Sequence, residues 1–378
     1  KNQLVTLGKH IDILSGCAFP SSGFNRNNGV PLIRIRDILS GKTETYYEGS
    51  YDLKYLIKKG DLLVGMDGDF NREYWKGTDA LLNQRVCKIT PNPETLDKNF
   101  LYHFLQKELD KIHATTDVVT VKHLSVKKIQ DIKIRLPSLK EQKRIAAILD
   151  KADAIRQKRE QAIKLADDFL RAKFLEMFGT PANNIHRFPK GTIRDLVDSV
   201  NYGTSAKASI DSGEYPILRM GNITYQGRWD FTDLKYLDLS VKEKDKYLVK
   251  EGDLLFNRTN SKELVGKTAV YEEDRPMAFA GYLIRVRPNS IGNNYYISGY
   301  LNSIHGKITL MNMCKSIVGM ANINAQELQN IEILIPPKHL QDEYEIIYKK
   351  IKKGLSIYDK SAMQLQLLAS NLSNKYFM

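Results

Sequence analysis

Hydrophobic residues follow two different periods along this chain, and the switch between them divides it into four parts. In 1–137 they come in short β-like runs, at 32–35, 61–64, 85–89 and 132–136. Turn residues punctuate the runs: Ser21-Ser22-Gly23, Asn27-Asn28-Gly29, Asp67-Gly68-Asp69 and Pro91-Asn92-Pro93. One helix is predicted over 98–111. The next tract, 138–178, holds no Gly or Pro after Pro137 until Gly179, and its apolar positions step by three and four. They are Ile145, Ile148, Ala152, Ile155, Ala162, Ala166 and Phe169, with Arg159 filling one place in the seam. Gly179 and Pro181 supply a helix stop. The short-run pattern then returns over 179–336. The helical period returns over 337–378, through Tyr344, Tyr348, Ile351, Leu355, Tyr358, Ala362, Leu365, Ala369, Leu372 and Tyr376.

The second half repeats the first in order. Pro31-Leu32-Ile33-Arg34-Ile35 returns as Pro216-Ile217-Leu218-Arg219-Met220, and Gly60-Asp61-Leu62-Leu63 as Gly252-Asp253-Leu254-Leu255. Ile129-Gln130-Asp131-Ile132 returns as Leu328-Gln329-Asn330-Ile331. The offset grows from about 185 to about 199 residues, as loop insertions would produce. A unit of that size is a domain, not a solenoid repeat. The expected fold is mixed α/β (α+β): two similar globular domains, 1–137 and 179–336, separated by two long helices, 138–178 and 337–378. A helix of about 38 residues spans roughly 57 Å and cannot leave its apolar stripe bare. An antiparallel coiled-coil pair with pseudo-two-fold symmetry is the simplest arrangement. A coiled coil between two copies of the chain is the alternative.

Composition adds a direction. The net charge of +13 is spread over the whole length and suits a polyanionic partner such as DNA. Cys17, Cys87 and Cys314 are scattered, with neither a disulfide framework nor a metal knuckle. No apolar run is long enough to span a membrane. A reducing cytoplasm is the expected compartment.

Catalytic motifs fail on inspection. Gly266-Lys267-Thr268 and Gly41-Lys42-Thr43 resemble the end of a phosphate-binding loop, but Ser261 and Arg36 stand where its first glycine is needed. Pro336-Pro337 is flanked by Ile335 and Lys338, so the Asn/Asp-Pro-Pro-Tyr tetrapeptide of amino-methyltransferases is missing. No metal-binding histidine pair and no nucleophile–base set emerges, and no cofactor is expected on this chain.

Groups suited to nucleic acid are present instead. The loop after each Gly-Asp-Leu-Leu strand carries Asp69, Arg72, Tyr74, Trp75 and Lys76 in the first copy, and Asn257, Arg258, Thr259, Asn260 and Lys262 in the second. Arg suits guanine, Asn and Gln suit adenine, and Lys and Thr suit phosphate. Three further clusters recur at matching places: Gln84-Arg85 against Tyr282, Lys122 (beside His123) against Asn322, and Arg34 against Arg219. The scaffold repeats while these loops differ, as expected of one fold reading two sequences.

With two copies, two heptad helices and no active site, the chain resembles the specificity subunit of type I restriction–modification systems over its whole length. The residues carrying the resemblance are the paired strands above, Leu136-Pro137-Ser138-Leu139-Lys140-Glu141-Gln142, and Ile335-Pro336-Pro337-Lys338-His339-Leu340-Gln341. The second junction has Leu340-Gln341 where the first has Glu141-Gln142. The resemblance implies that each globular copy is a target recognition domain reading half of a bipartite, asymmetric site in double-stranded DNA. It implies that the helices set the gap and dock two methyltransferase (modification) subunits and, where present, two restriction subunits. S-adenosylmethionine, ATP and Mg would sit on those partners. A stand-alone dimeric DNA-binding regulator is the competing reading.

Overall fold

The computed structural model describes residues 3–118 and 120–377. These divide into two compact units, one of residues 1–158 with 359–378, the other of 159–358. Each unit therefore contains one globular copy and parts of both long helices.

The first unit is built on a four-stranded antiparallel sheet in the order Ile11–Ser15, Val86–Pro91, Leu62–Gly65, Arg72–Tyr74. A second sheet is made of very short strands. At its centre Val30–Ile33 runs parallel to Ala80–Leu82, with Leu32 opposite Leu81. Leu4–Thr6 pairs with Lys133–Arg135 and brings the two ends of the globular copy together.

The second unit repeats this plan; among the described residues its second sheet has four strands where the first unit's has five, and it adds a pair, Thr259–Ser261 with Met320–Asn322. Its antiparallel sheet runs Val197–Tyr202, Leu283–Pro288, Leu254–Asn257, Thr268–Val270. Its parallel pair is Tyr215–Leu218 with Met277–Phe279, and its terminal pair is Lys190–Thr192 with Glu332–Leu334. The repeated Gly60 and Gly252 both adopt the left-handed backbone, at φ 95° and 93°, where a side chain would be strained.

Some elements differ from expectation. The run at 32–35 ends as a strand at Ile33, because the Arg34 backbone N–H donates to Asp37 Oδ2 at 3.0 Å and turns the chain. In the second copy Arg219 N–H donates to Asn222 Oδ1 at 2.8 Å, so a neutral acceptor makes the same turn. Burial pushes the Asp37 carboxyl above its usual range, a cost that Asn222 avoids. The helix expected over 98–111 runs over Lys98–Ala114, started by Asp97, whose side chain accepts from Phe100 N–H. The second copy breaks the matching stretch at Ser303 into two helices, Asn294–Asn302 and Ile304–Met313.

The long helices run without a break over Leu139–Phe178 and Lys338–Phe377. The repeated glutamine explains how each is anchored. Gln142 is fully buried; its Nε2 donates to Thr95 O and Pro137 O, both at 2.9 Å, and its Oε1 accepts from Asp97 N–H at 2.8 Å. Gln341, also fully buried, donates to Ile291 O at 3.0 Å and Pro336 O at 2.9 Å. The residue before each glutamine differs in use: Glu141 accepts from Arg144 and from Tyr376 OH, while Leu340 packs on the second unit's core.

Within the first unit the start of one long helix meets the end of the other. Ile145, Ala146 and Leu149 share a core with Leu372, Tyr376 and Phe377, and the Phe377 ring lies 5.6 Å from that of Phe100. Within the second unit Leu170, Phe174 and Phe178 pack on Tyr344, with the Phe174 and Tyr344 rings 5.3 Å apart. In both units the helix segments run antiparallel. Ala152, Ala362 and Leu372 are buried, and Ile148, Ile155, Ala162, Ala166, Tyr348, Ile351, Leu355 and Leu365 are partly buried. Phe169 and Tyr358 are less covered, at 50% and 47% exposed. Beside Phe169, Leu170 is buried at 8%, and the seam beyond Tyr358 resumes at Ala362.

Candidate nucleic-acid interface

In each unit, three segments of the globular copy converge on one corner at the end of the central sheet. In the first, Met66 N–H donates to Arg85 O at 2.9 Å, and Met66 O accepts from Leu124 N–H at 2.7 Å. In the second, Arg258 N–H donates to Tyr282 O at 3.0 Å, and Arg258 O accepts from Ile323 N–H at 2.8 Å. The backbone corner is the same. It places Met66 where Arg258 stands, Asp67 where Thr259 stands, Arg85 where Tyr282 stands and His123 where Asn322 stands.

The side chains fill it differently. In the first corner Asp67 is the hub. Its Oδ1 accepts from Arg85 Nε at 3.0 Å and Nη2 at 2.8 Å, and lies 2.6 Å from His123 Nδ1. Arg85 Nη2 also donates to Met66 O at 3.0 Å and Leu124 O at 3.2 Å. Arg85 sits at φ 64°, a backbone conformation rare for a branched-from-Cβ or long side chain, and these bonds hold it there. The Arg85 guanidinium holds the Asp67 carboxyl below its usual range. In the second corner Asn322 is the hub. Its Oδ1 accepts from Arg258 Nη1 at 2.9 Å and Thr259 Oγ1 at 2.8 Å. Arg258 Nε donates to Gly281 O at 2.6 Å, and the guanidinium lies 5.0 Å from the Tyr202 ring.

Each corner thus fixes one arginine from two sides and leaves one terminal nitrogen uncommitted among the described residues: Nη1 of Arg85 and Nη2 of Arg258. A guanidinium so held offers a fixed donor to a base edge or a phosphate oxygen without losing much further side-chain freedom. Gln84 and Tyr282 are exposed beside these groups.

The remaining candidates are placed as follows. Asn260 Nδ2 donates to Asn257 Oδ1 at 2.9 Å. Asn257 itself is fully buried, with its own Nδ2 donating to Thr259 O at 3.0 Å, so it supports the loop and is set aside as a contact. Trp75 is also set aside. It is 2% exposed, packs on Ile33, Leu63 and Leu82, and its Nε1 donates to Thr78 O. Arg72 and Tyr74 lie on an edge strand against the helix Lys98–Ala114, away from the corner. Arg72 Nε donates to Tyr102 O at 2.6 Å with its guanidinium over the Tyr102 ring, and Tyr74 stacks on Tyr102 at 4.5 Å. Lys122 Nζ donates to His113 O at 2.6 Å. Asp69 is exposed, 3.8 Å from His113 Nε2. Lys76 is exposed beside Gly41 and Lys42, and Lys262 is partly buried. Arg34 and Arg219 are partly buried; Arg219 Nη2 donates to Asp233 O at 3.1 Å. The fold joins Asp67 and His123 to Arg85. No group of three or more His, Cys, Asp or Glu suited to a metal occurs among the described residues, and no helix there is long and apolar enough to cross a membrane.

A paired recognition fold with differing corners defines a class, and the comparisons agree on it. Residues 1–165 and 188–369 match the type I restriction modification DNA specificity domain, and the chain belongs to that family. It is 30% identical to the type I restriction enzyme EcoBI specificity subunit of Escherichia coli, across 98% of this chain and 82% of that one. It is 23% identical to the EcoKI specificity subunit of E. coli strain K12, across 92% and 80%. The solved S subunit of a type I restriction–modification system from M. genitalium shares the fold, with a TM-score of 0.65, 15% identity, and 98% and 95% of the two chains covered.

Proposed function

We propose that this chain is the specificity subunit of a type I restriction–modification complex. Each globular copy reads one half of a bipartite, asymmetric DNA sequence, and the long helices set the gap and dock the partner subunits. The observation that carries this reading is the pair of corners: one backbone arrangement, repeated, holding two different sets of hydrogen-bonding side chains. The net charge of +13 supplies the sequence-independent attraction.

Docking has its own support. Apolar side chains stand exposed on the long helices, outside the buried seam: Leu165, Phe169 and Leu175 on the first, Ile346, Ile357, Met363 and Leu367 on the second. Such surface is costly on a helix that has no partner. The partners are two methyltransferase subunits and, where the system cuts DNA, two restriction subunits. S-adenosylmethionine, ATP and Mg belong to those partners, and this chain performs no chemistry. The complex works in the cytoplasm, where its DNA is.

Methylation mapping of the host genome with and without the chain tests this directly. The expected result is a two-part, gapped adenine-methylation motif that depends on the chain. A stable homodimer of the chain binding a palindrome, or methyl transfer by the chain alone, would contradict it.

A further inference from the structure

Just ahead of each corner the chain exposes a short apolar loop. In the first copy Val118 and Val121 are exposed; in the second Ile317, Val318 and Met320 are, Val318 at 99%. The loops share a register. Leu124 and Ile323 make equivalent bonds to the corner backbone, so counting back from them pairs Val121 with Met320 and Val118 with Ile317. Single exposed apolar residues are ordinary. A matched apolar window in two otherwise divergent loops is not, because nothing in the shared scaffold uses it.

The loops are continuous with the corners. Met320–Asn322 pairs with Thr259–Ser261, so Met320 and the hub Asn322 share one strand. In the first copy Asp67 and His123 form the corresponding β-bridge, and Gly68 N–H donates to Lys122 O at 2.8 Å. Met320 lies two residues before the hub Asn322 and Val121 two residues before His123, so the apolar tips adjoin the corners.

We infer that the two loops contact thymine methyl groups in the major groove, next to the bases met by Arg85 and Arg258. This rests on the DNA-recognition reading above. The major groove presents acceptors that an arginine can bond and, as its apolar group, the C5-methyl of thymine. Valine and isoleucine tips have no side-chain donor or acceptor, and the methionine sulfur is only a weak acceptor, so an apolar group is what they suit in that groove.

The test uses the full chain with its modification subunits, and a duplex that the wild-type complex selects from a random-sequence pool. Val318→Ser and Val118→Ser are each expected to weaken binding roughly five- to tenfold, the cost of removing about one buried methyl or more. The salt dependence should not change, because no phosphate contact is lost. Replacing thymidine by deoxyuridine in the affected half-site should weaken the wild type to a similar degree and leave the variant unchanged. Val318 is almost fully solvated, so its replacement leaves the fold intact, which thermal melting verifies. Equal binding by variant and wild type, selected half-sites without an A·T pair, or loss of the modification subunits in place of DNA affinity would each overturn the inference. If the wild-type complex selects no sequence, the recognition reading itself fails first.

Discussion

The two corners share a backbone and differ in where the arginine comes from. In the first copy it arrives from the turn before Val86 and is clamped by an acid, Asp67, which also faces His123. In the second it arrives from the end of the Leu254–Asn257 strand and is clamped by an amide, Asn322, and a carbonyl, Gly281 O. One carries a compensating negative charge; the other does not. The scaffold therefore fixes where a cation is presented, while the loops choose its origin, its exposed nitrogen and its local charge. Two readers built this way can diverge without refolding.

The comparison breaks most strongly at the arginines. Arg258→Ala should cost about 1–3 kcal/mol of DNA-binding energy and relax only the half-site of the second copy. Arg85→Ala should do the same for the other half, measured by competition binding on singly altered half-sites. Arg72→Ala should leave both half-sites readable and lower thermal stability instead, since Arg72 packs on Tyr102.

A smaller change separates clamp from reader. Asp67→Asn keeps an acceptor but removes the charge. It should weaken the fixing of Arg85 and raise the salt dependence of binding at the first half-site toward that of the second, by up to about one unit of slope. Asn322→Asp should lower the slope at the second half-site. Equal slopes in all three proteins would remove charge from the comparison.

The smallest expected effect is in pH. The folded carboxyl of Asp67 is held below its unfolded value by Arg85. Its contribution is thus fully present above the unfolded value, about pH 4, and is lost as pH falls through the lower folded value. The Arg85 Nε–H resonance should lose its protection over that acid window, while that of Arg258, which faces only neutral acceptors, should not respond to a local titration.

Much of the scaffold was legible in the sequence because it is written twice. The Gly-Asp-Leu-Leu strands and the glutamines at 142 and 341 return in order, and each return has a physical use; the turn after Arg34 and Arg219 was hidden because its apolar neighbours read as strand. The corners were legible only in part. Asp67, Arg85 and His123 lie far apart along the chain and meet through strand pairing that local pattern does not specify. Trp75 and Tyr74 were drawn toward the site by residue type, although an aromatic beside a turn serves a core equally well. Phe169 and Tyr358 are about half exposed, because a heptad count gives the facing side of a helix and not how completely each position is covered.

One corner reads one half-site. Random-pool selection with the full complex carrying Arg258→Ala tests it most directly. The expected result is that one half-site loses information at one or two positions, while the other half-site and the gap stay as in the wild type. Loss in both half-sites together, or in neither, would contradict it.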